Sequence, residues 1–248
     1  MNISFEDKIV IVTGSTSGIG AATAEAFAQS GATVIVCGRR VEKGEAVVGK
    51  IKKNGGHALF VQTDVNDDSS MNHLVAEVIE QYGKIDVLVN NAGVYKSFAF
   101  EDIDMEKEYE DVFNINVRSY IYLSKLVLKF MLERKEGSII NIASVGALNG
   151  GPGIATYCAS KGAILQLTRS MAKEFGGRGI RVNSILPGLI HTEMMPEGGP
   201  MDKVIDTMIP LKRAGNSMEI AQPILFVCSP YASFINGASI VIDGGQSA

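Results

Sequence analysis

The chain has 248 residues, 46% of them hydrophobic and 20% charged, with 27 glycines and 7 prolines. That length buries a sizeable core, and so apolar a chain is not a disordered one. Lys plus Arg is 23 and Asp plus Glu is 27, so the formal charge is −4, and the basic residues are scattered, so nothing marks a nucleic-acid surface.

Short β-branched runs alternate with longer stretches of helical period. In chain order the expected strands are Ile9–Val12, Thr33–Cys37, Ala58–Gln62, Ile85–Val89, Ser138–Ile142, Arg181–Ile185 and Ser239–Ile242. Between them lie expected helices at Ile19–Ser30, Val41–Asn54, Ser69–Tyr82, Ile115–Arg134, Tyr157–Gly176 and Glu219–Ser229. Strands of four or five nearly continuous apolar residues suit a parallel sheet covered on both faces. The alternation predicts one doubly wound α/β sheet, a single domain over residues 1–248, with ligands at the strands' C-terminal ends. No repeat or linker divides it.

Cys37, Cys158 and Cys228 are far apart and odd in number, and His57, His73 and His191 form no ligand pair. The expectation is small buried thiols, no disulfide framework and no metal. Met1 to Lys8 carries acids and no basic stretch, and the apolar run Ile9–Val12 is far short of the roughly 20 residues of a membrane span. The expected location is cytoplasmic, with no membrane partner.

The first strand runs into Thr13-Gly14-Ser15-Thr16-Ser17-Gly18-Ile19-Gly20, and an Ala-rich helix follows. Glycines there permit a tight turn and close backbone approach to a pyrophosphate, while the helix N-terminus supplies unpaired N–H groups and about half a positive charge. A strand before and a helix after set this loop apart from an ordinary glycine turn, and they make the sheet Rossmann-type. The spacing is G-x-x-x-G-x-G. The second strand ends in Gly38-Arg39-Arg40, with no acid before Glu42 to accept from a ribose 2′-OH. Two cations stand where a 2′-phosphate would sit, which favours NADP(H) over NAD(H). A solvated helix start is the other reading, one that cations near a helix N-terminus disfavour.

Tyr157 and Lys161 are four apart in a stretch of helical composition and so share a face. A Tyr of ordinary pKa near 10 is a poor base at neutral pH, and a neighbouring ammonium would lower it. Ser144 follows the strand Ser138–Ile142 at the edge where substrate would lie, with a hydroxyl able to donate to a reacting carbonyl oxygen.

Together these motifs resemble the short-chain dehydrogenase/reductases over essentially the whole chain. The resemblance extends to Asn90-Asn91-Ala92-Gly93, to Asn116 in Phe113-Asn114-Ile115-Asn116-Val117, and to Pro187-Gly188-Leu189-Ile190-His191-Thr192. It implies Tyr157 as general acid/base, Lys161 lowering its pKa and holding the nicotinamide ribose, Ser144 on the substrate oxygen, and Asn116 holding a water behind the lysine. Cofactor contacts would come from Gly14, Ser15, Ser17, Gly18, Ile19, Gly20, Arg39, Arg40, Asp64, Val65, Asn91, Ala92, Gly93, Pro187, Gly188, Ile190 and Thr192, besides Tyr157 and Lys161. Spacing alone reads Asp64 as a turn residue. Ser17 departs from the family's NADP-preferring members, which often carry a basic residue there.

The segment 193–210 would close over substrate, with Met194, Met195, Met201 and Met208 as an adaptable apolar surface and Gly198-Gly199 allowing movement. A short packed helix with Met as filler accounts for it as well. Tyr95, Phe98, Leu148 and Asn149 are further candidates for the pocket border. The chain looks most like bacterial 3-oxoacyl-(acyl-carrier-protein) reductases, with Lys135 and Arg178 where those enzymes dock the acidic carrier. A hydroxysteroid or other secondary-alcohol dehydrogenase is the alternative, and a non-catalytic NADP(H)-sensing protein is the alternative from another class. The resemblance also implies a homotetramer built on the helices Val117–Leu132 and Ile164–Phe175 and the strand Ala238–Asp243.

Overall fold

The computed structural model describes residues 3–199, 202–203 and 205–248. Seven parallel strands stand in the order β3-β2-β1-β4-β5-β6-β7. They are β1 (Ile9–Thr13), β2 (Thr33–Gly38), β3 (His57–Gln62), β4 (Val87–Asn90), β5 (Gly137–Ile142), β6 (Ile180–Pro187) and β7 (Ser239–Ile242). The strand order reverses between β1 and β4, which opens a crevice at their C-terminal ends.

Strand periodicity distributes the apolar residues to both faces. Val10 and Val12 of β1, Val34 and Val36 of β2 and Val87 and Val89 of β4 pack under α1 (Gly18–Gln29), α2 (Val41–Lys53) and α9 (Ser217–Cys228). Ile9 and Ile11, Ile35 and Cys37, and Leu88 face the opposite way, under α3 (Asp68–Tyr82), α5 (Ser119–Arg134) and α7 (Ala155–Phe175). Asp67 caps α3 by accepting from Ser69 N, and Asn216 and Glu219 form a capping box on α9.

Under the sheet, the Asp86 carboxylate accepts from Ile9 N at 2.8 Å and from Arg134 at 2.5 Å, joining β1, β4 and α5 at the edge away from the crevice. No helix among the described residues is long and apolar enough to cross a membrane.

The expected elements are all present, with β4 starting two residues later and β6 running two residues further. Three short helices were not anticipated: α4 (Glu110–Phe113), α6 (Gly146–Asn149) and α8 (Ile205–Met208). The expected helix at Ile115–Arg134 begins instead with a π-turn at Asn114–Arg118, and a second π-turn spans Met105–Tyr109. Cys37 and Cys228 are buried, their thiols pushed up to about 12 by desolvation, whereas Cys158 is half-buried.

Candidate active site

The loop after β1 is shaped from both sides. Gly14 adopts φ +63, and a Cβ there would lie 2.9 Å from Ala92 Cα; one on Gly20 would lie 2.5 Å from Asn91 Nδ2 and from Gly14 O. Only glycine fits either place. The neighbouring segment after β4 is held against the loop by Thr13, whose Oγ1 accepts from Asn91 N at 2.8 Å and Ala92 N at 2.9 Å. Asn91 returns its side-chain amide to Thr13 O at 2.8 Å. The α1 N-terminus therefore opens into the crevice with no acidic residue in its first turn, a seat for an anion.

This crevice is a cleft of about 1100 Å³ that continues from the glycine loop, past the ends of β2 and β4, to the end of β5. There Lys161, 3% exposed, donates from Nζ to Ile142 O at 2.8 Å. Tyr120 of α5 donates to the same carbonyl at 3.2 Å, and the ammonium lies 5.4 Å from the Tyr120 ring centroid and 5.9 Å from that of Tyr157. Burial lowers Lys161 to about 7.

Tyr157 and Ser144 both face the cleft. Burial raises the Tyr157 phenol above its ordinary value, Cys158 and Tyr95 add to this, and the Ser144 hydroxyl pulls it back. Lys161, whose ammonium donates to a backbone carbonyl, is not among the groups that move the phenol. Tyr95 packs edge-on against Tyr157, ring centroids 5.1 Å apart.

Asn116 is fully buried within the π-turn. Its Oδ1 accepts from Val94 N at 2.8 Å, and its Nδ2 donates to Val94 O at 3.0 Å and Ser160 Oγ at 3.1 Å. Ser160 Oγ donates in turn to Tyr157 O, so Asn116 braces the first turn of α7. π-Turns of this kind recur at functional sites.

A family model described as enoyl-(acyl carrier protein) reductase matches residues 14–247. The chain belongs to the short-chain dehydrogenase/reductase family. It is 38% identical over 246 residues to meso-2,3-butanediol dehydrogenase of Serratia marcescens, covering 98% of this chain and 96% of that one. It is 37% identical to 3-oxoacyl-[acyl-carrier-protein] reductase of Thermotoga maritima, covering 97% and 98%. A solved 7α-hydroxysteroid dehydrogenase, complexed with NADH and 7-oxo glycochenodeoxycholic acid, superposes with a TM-score of 0.94 at 34% identity, covering 98% and 96%. Such dehydrogenases and reductases act on alcohol or ketone groups, and this chain is an enzyme of that kind.

Of the cofactor contacts expected from the family, the structure brings all but Ser15 to the cleft wall. Ser15 is buried: its Oγ donates to Val12 O at 2.6 Å and accepts from Cys37 N at 3.0 Å, and its N–H donates to Cys37 O. It ties β1 to β2, and Thr16 lines the cleft in its place. Asp64 has both of its readings, since its Oδ1 accepts from Asn66 N at 3.0 Å in a turn that borders the cleft.

The arginines separate. Arg40 donates to Glu193, Thr16 and Ser17, while Arg39 has no side-chain partner among the described residues. Towards substrate, Tyr95, Asn149, Met194, Met195 and Met208 line the cleft, whereas Phe98 and Leu148 do not. Met201 lies outside the described residues. Lys135 ends α5 and Arg178 precedes β6, so both stand at the sheet edge opposite the cleft, away from this chain's own site.

Sequence reasoning missed Thr13, Tyr120, Ser160 and Glu193. Thr13 stood inside the quoted loop, but a hydroxyl that serves a segment some eighty residues on has no local signature.

Proposed function

We propose that the protein is an NADP(H)-dependent reductase or dehydrogenase that interconverts an apolar ketone and its secondary alcohol. The observation that carries this reading is the convergence of Ser144, Tyr157 and Lys161 at the end of β5, in one cleft with the glycine loop and the free Arg39. The residues fit a dinucleotide: the loop and the α1 N-terminus suit its diphosphate, Arg39 a 2′-phosphate, Asp64 and Val65 the adenine, and Ile190 and Thr192 the carboxamide. Bound nicotinamide supplies or accepts the hydride.

The chain's own residues then handle the proton and the geometry. Ser144 donates a hydrogen bond to the substrate oxygen, and Tyr157 gives that oxygen a proton as the carbon is reduced, or removes it in oxidation. Because burial raises the phenol's pKa, Tyr157 is protonated at neutral pH, which is the form that reduction needs. Lys161, in its protonated form, stands behind the phenol, 5.9 Å from its ring centroid, and stabilises the phenolate left after transfer. Asn116 fixes the start of α7 and so sets where Tyr157 stands.

The substrate reading is a 3-oxoacyl thioester, supported by the Thermotoga relative and by a pocket that offers methionines and Tyr95 rather than a cation for a carboxylate. The Serratia relative supports a second reading, a small secondary alcohol. The test is loss of nicotinamide absorbance with an acetoacetyl thioester, with NADPH and NADH in parallel. Turnover with NADPH supports the reading; turnover with NADH alone overturns the cofactor assignment. No thioester turnover together with oxidation of secondary alcohols shifts the substrate to the second reading. Tyr157→Phe abolishes turnover and leaves NADPH binding intact; a variant that stays active refutes the assignment of the proton donor.

We extend the proposal to a cytoplasmic homotetramer, because apolar side chains stand exposed on α5 (Ile121) and around β7 (Phe234, Val241). A monomer in sedimentation velocity refutes it.

A further inference from the structure

The rim of the cleft carries an ion-pair clasp. Glu193 opens the segment that follows β6, and its Oε2 accepts from Arg40 Nη1 at 2.7 Å while its Oε1 accepts from Lys43 Nζ at 2.5 Å. The second terminal nitrogen of Arg40 donates to Thr16 Oγ1 at 3.0 Å and to Ser17 Oγ at 2.7 Å. One guanidinium thus joins the glycine loop, the start of α2 and the segment over the substrate end. The three groups that make the ion pairs are about half exposed, so they can part without disturbing the core. The segment is pinned a second time by Asp202, which bonds His191 at 2.9 Å and Gly198 N at 2.6 Å.

Lys43 and Arg40 hold the Glu193 carboxyl at about 2, so it is an anion at any working pH. Through Arg40 it reaches the end of β2, where a 2′-phosphate would also seek a cation, and it shares the cleft wall with Arg39. A phosphate carries about −1.5 to −2 at neutral pH and three acceptor oxygens, and the planar guanidinium fork matches it well.

We infer that Glu193 is a specificity residue for the cofactor: its carboxylate competes with the 2′-phosphate for Arg40, so that a phosphorylated cofactor opens the clasp and an unphosphorylated one leaves it closed. This rests on the NADP(H) reading above. Its consequence is that the chemistry of the adenosine end sets the freedom of the segment bordering the substrate.

The experiment uses the full chain and two probes without nicotinamide, adenosine 2′,5′-bisphosphate and AMP, titrated calorimetrically at fixed low salt. Glu193→Gln binds the bisphosphate about two- to fivefold more tightly and leaves AMP affinity unchanged, the scale of one exposed ion pair. In the wild type the bisphosphate speeds amide exchange over residues 190–199, and AMP does not. An unchanged preference in Glu193→Gln, or no change in exchange with the bisphosphate, overturns the inference. The two readings fail separately. If the wild type prefers the bisphosphate and Glu193→Gln leaves that preference unaltered, the clasp falls and the cofactor reading stands. If neither protein prefers the bisphosphate over AMP, both fall.

Discussion

Lys161 is costly to keep, and replacing it with methionine measures the cost. The side chain is 3% exposed, no carboxylate among the described residues pairs with it, and its pKa falls from 10.5 to about 7. At about 1.4 kcal/mol per tenfold change in proton affinity, that displacement is a penalty on the order of 5 kcal/mol when the amine is charged. Lys161→Met removes it and gives up about 1 kcal/mol for the bond to Ile142 O, which Tyr120 still serves at 3.2 Å, and about 1 kcal/mol for the cation over the Tyr120 ring. With relaxation around the ammonium, the net gain is about 2 kcal/mol for the cofactor-free protein below pH 7, or roughly 4–8 °C in Tm for a chain of this size.

The pH dependence gives the effect its signature. Between about 7 and 10.5 the unfolded chain binds one proton more than the folded one, so wild-type stability rises with pH through that window. The advantage of the variant is therefore full below pH 7, shrinks by about 1.4 kcal/mol per pH unit above it, and is gone near pH 8.5, beyond which the wild type is the more stable. The assay is thermal unfolding of cofactor-free wild type and Lys161→Met at equal concentration from pH 6 to 9.5. A variant less stable at pH 6, or a difference that does not change with pH, refutes the reasoning.

Gly20→Ala brings a Cβ to 2.5 Å from Asn91 Nδ2 and Gly14 O, and the loop must shift. Dinucleotide affinity falls at least about tenfold and stability by about 1–3 kcal/mol, read by calorimetric titration and denaturant unfolding; unchanged values for both would sink this account of the loop. Asp86→Asn loses about 1–3 kcal/mol at neutral pH. Burial raises the Asp86 pKa most, yet the Ile9 N–H, Arg134 and Lys84 together bring it below 3.8. The lost stability is thus present above pH 4 and vanishes as pH falls through the lowered value; a deficit that does not shrink as pH falls below 4 contradicts it.

The two-faced sheet was legible because each strand is a short, nearly unbroken apolar run and each helix repeats near 3.6. Its limits were harder to place. The π-turn at Asn114–Arg118 has helical composition, and its displaced hydrogen bonding is set by Asn116 reaching Val94 and Ser160, contacts that periodicity does not encode. Phe100–Phe113 passed as connection because its carboxylates, Glu106, Glu108, Glu110 and Asp111, hide the apolar spacing of Met105, Tyr109 and Val112.

The candidate site divides along the same line. Gly14 and Gly20 could be read as a loop against an anion, since the spacing that demands them is local. The reason each is glycine here is Ala92 and Asn91, more than seventy residues away. Ser15 went astray for that reason: within the loop it looks like Thr16 and Ser17, and only the arrival of β2 turns its hydroxyl inward to Cys37. Arg39 and Arg40 were indistinguishable as neighbours, and it is Glu193 that takes one and leaves the other free. Tyr157 and Lys161 show the limit most clearly. Four-residue spacing puts them on one face, but the direction of the tyrosine's shift is decided by burial, which raises the phenol, while the ammonium donates to the Ile142 carbonyl. A motif thus names the participants, while the proton's resting place depends on how deeply the fold buries the phenol, which the motif does not contain.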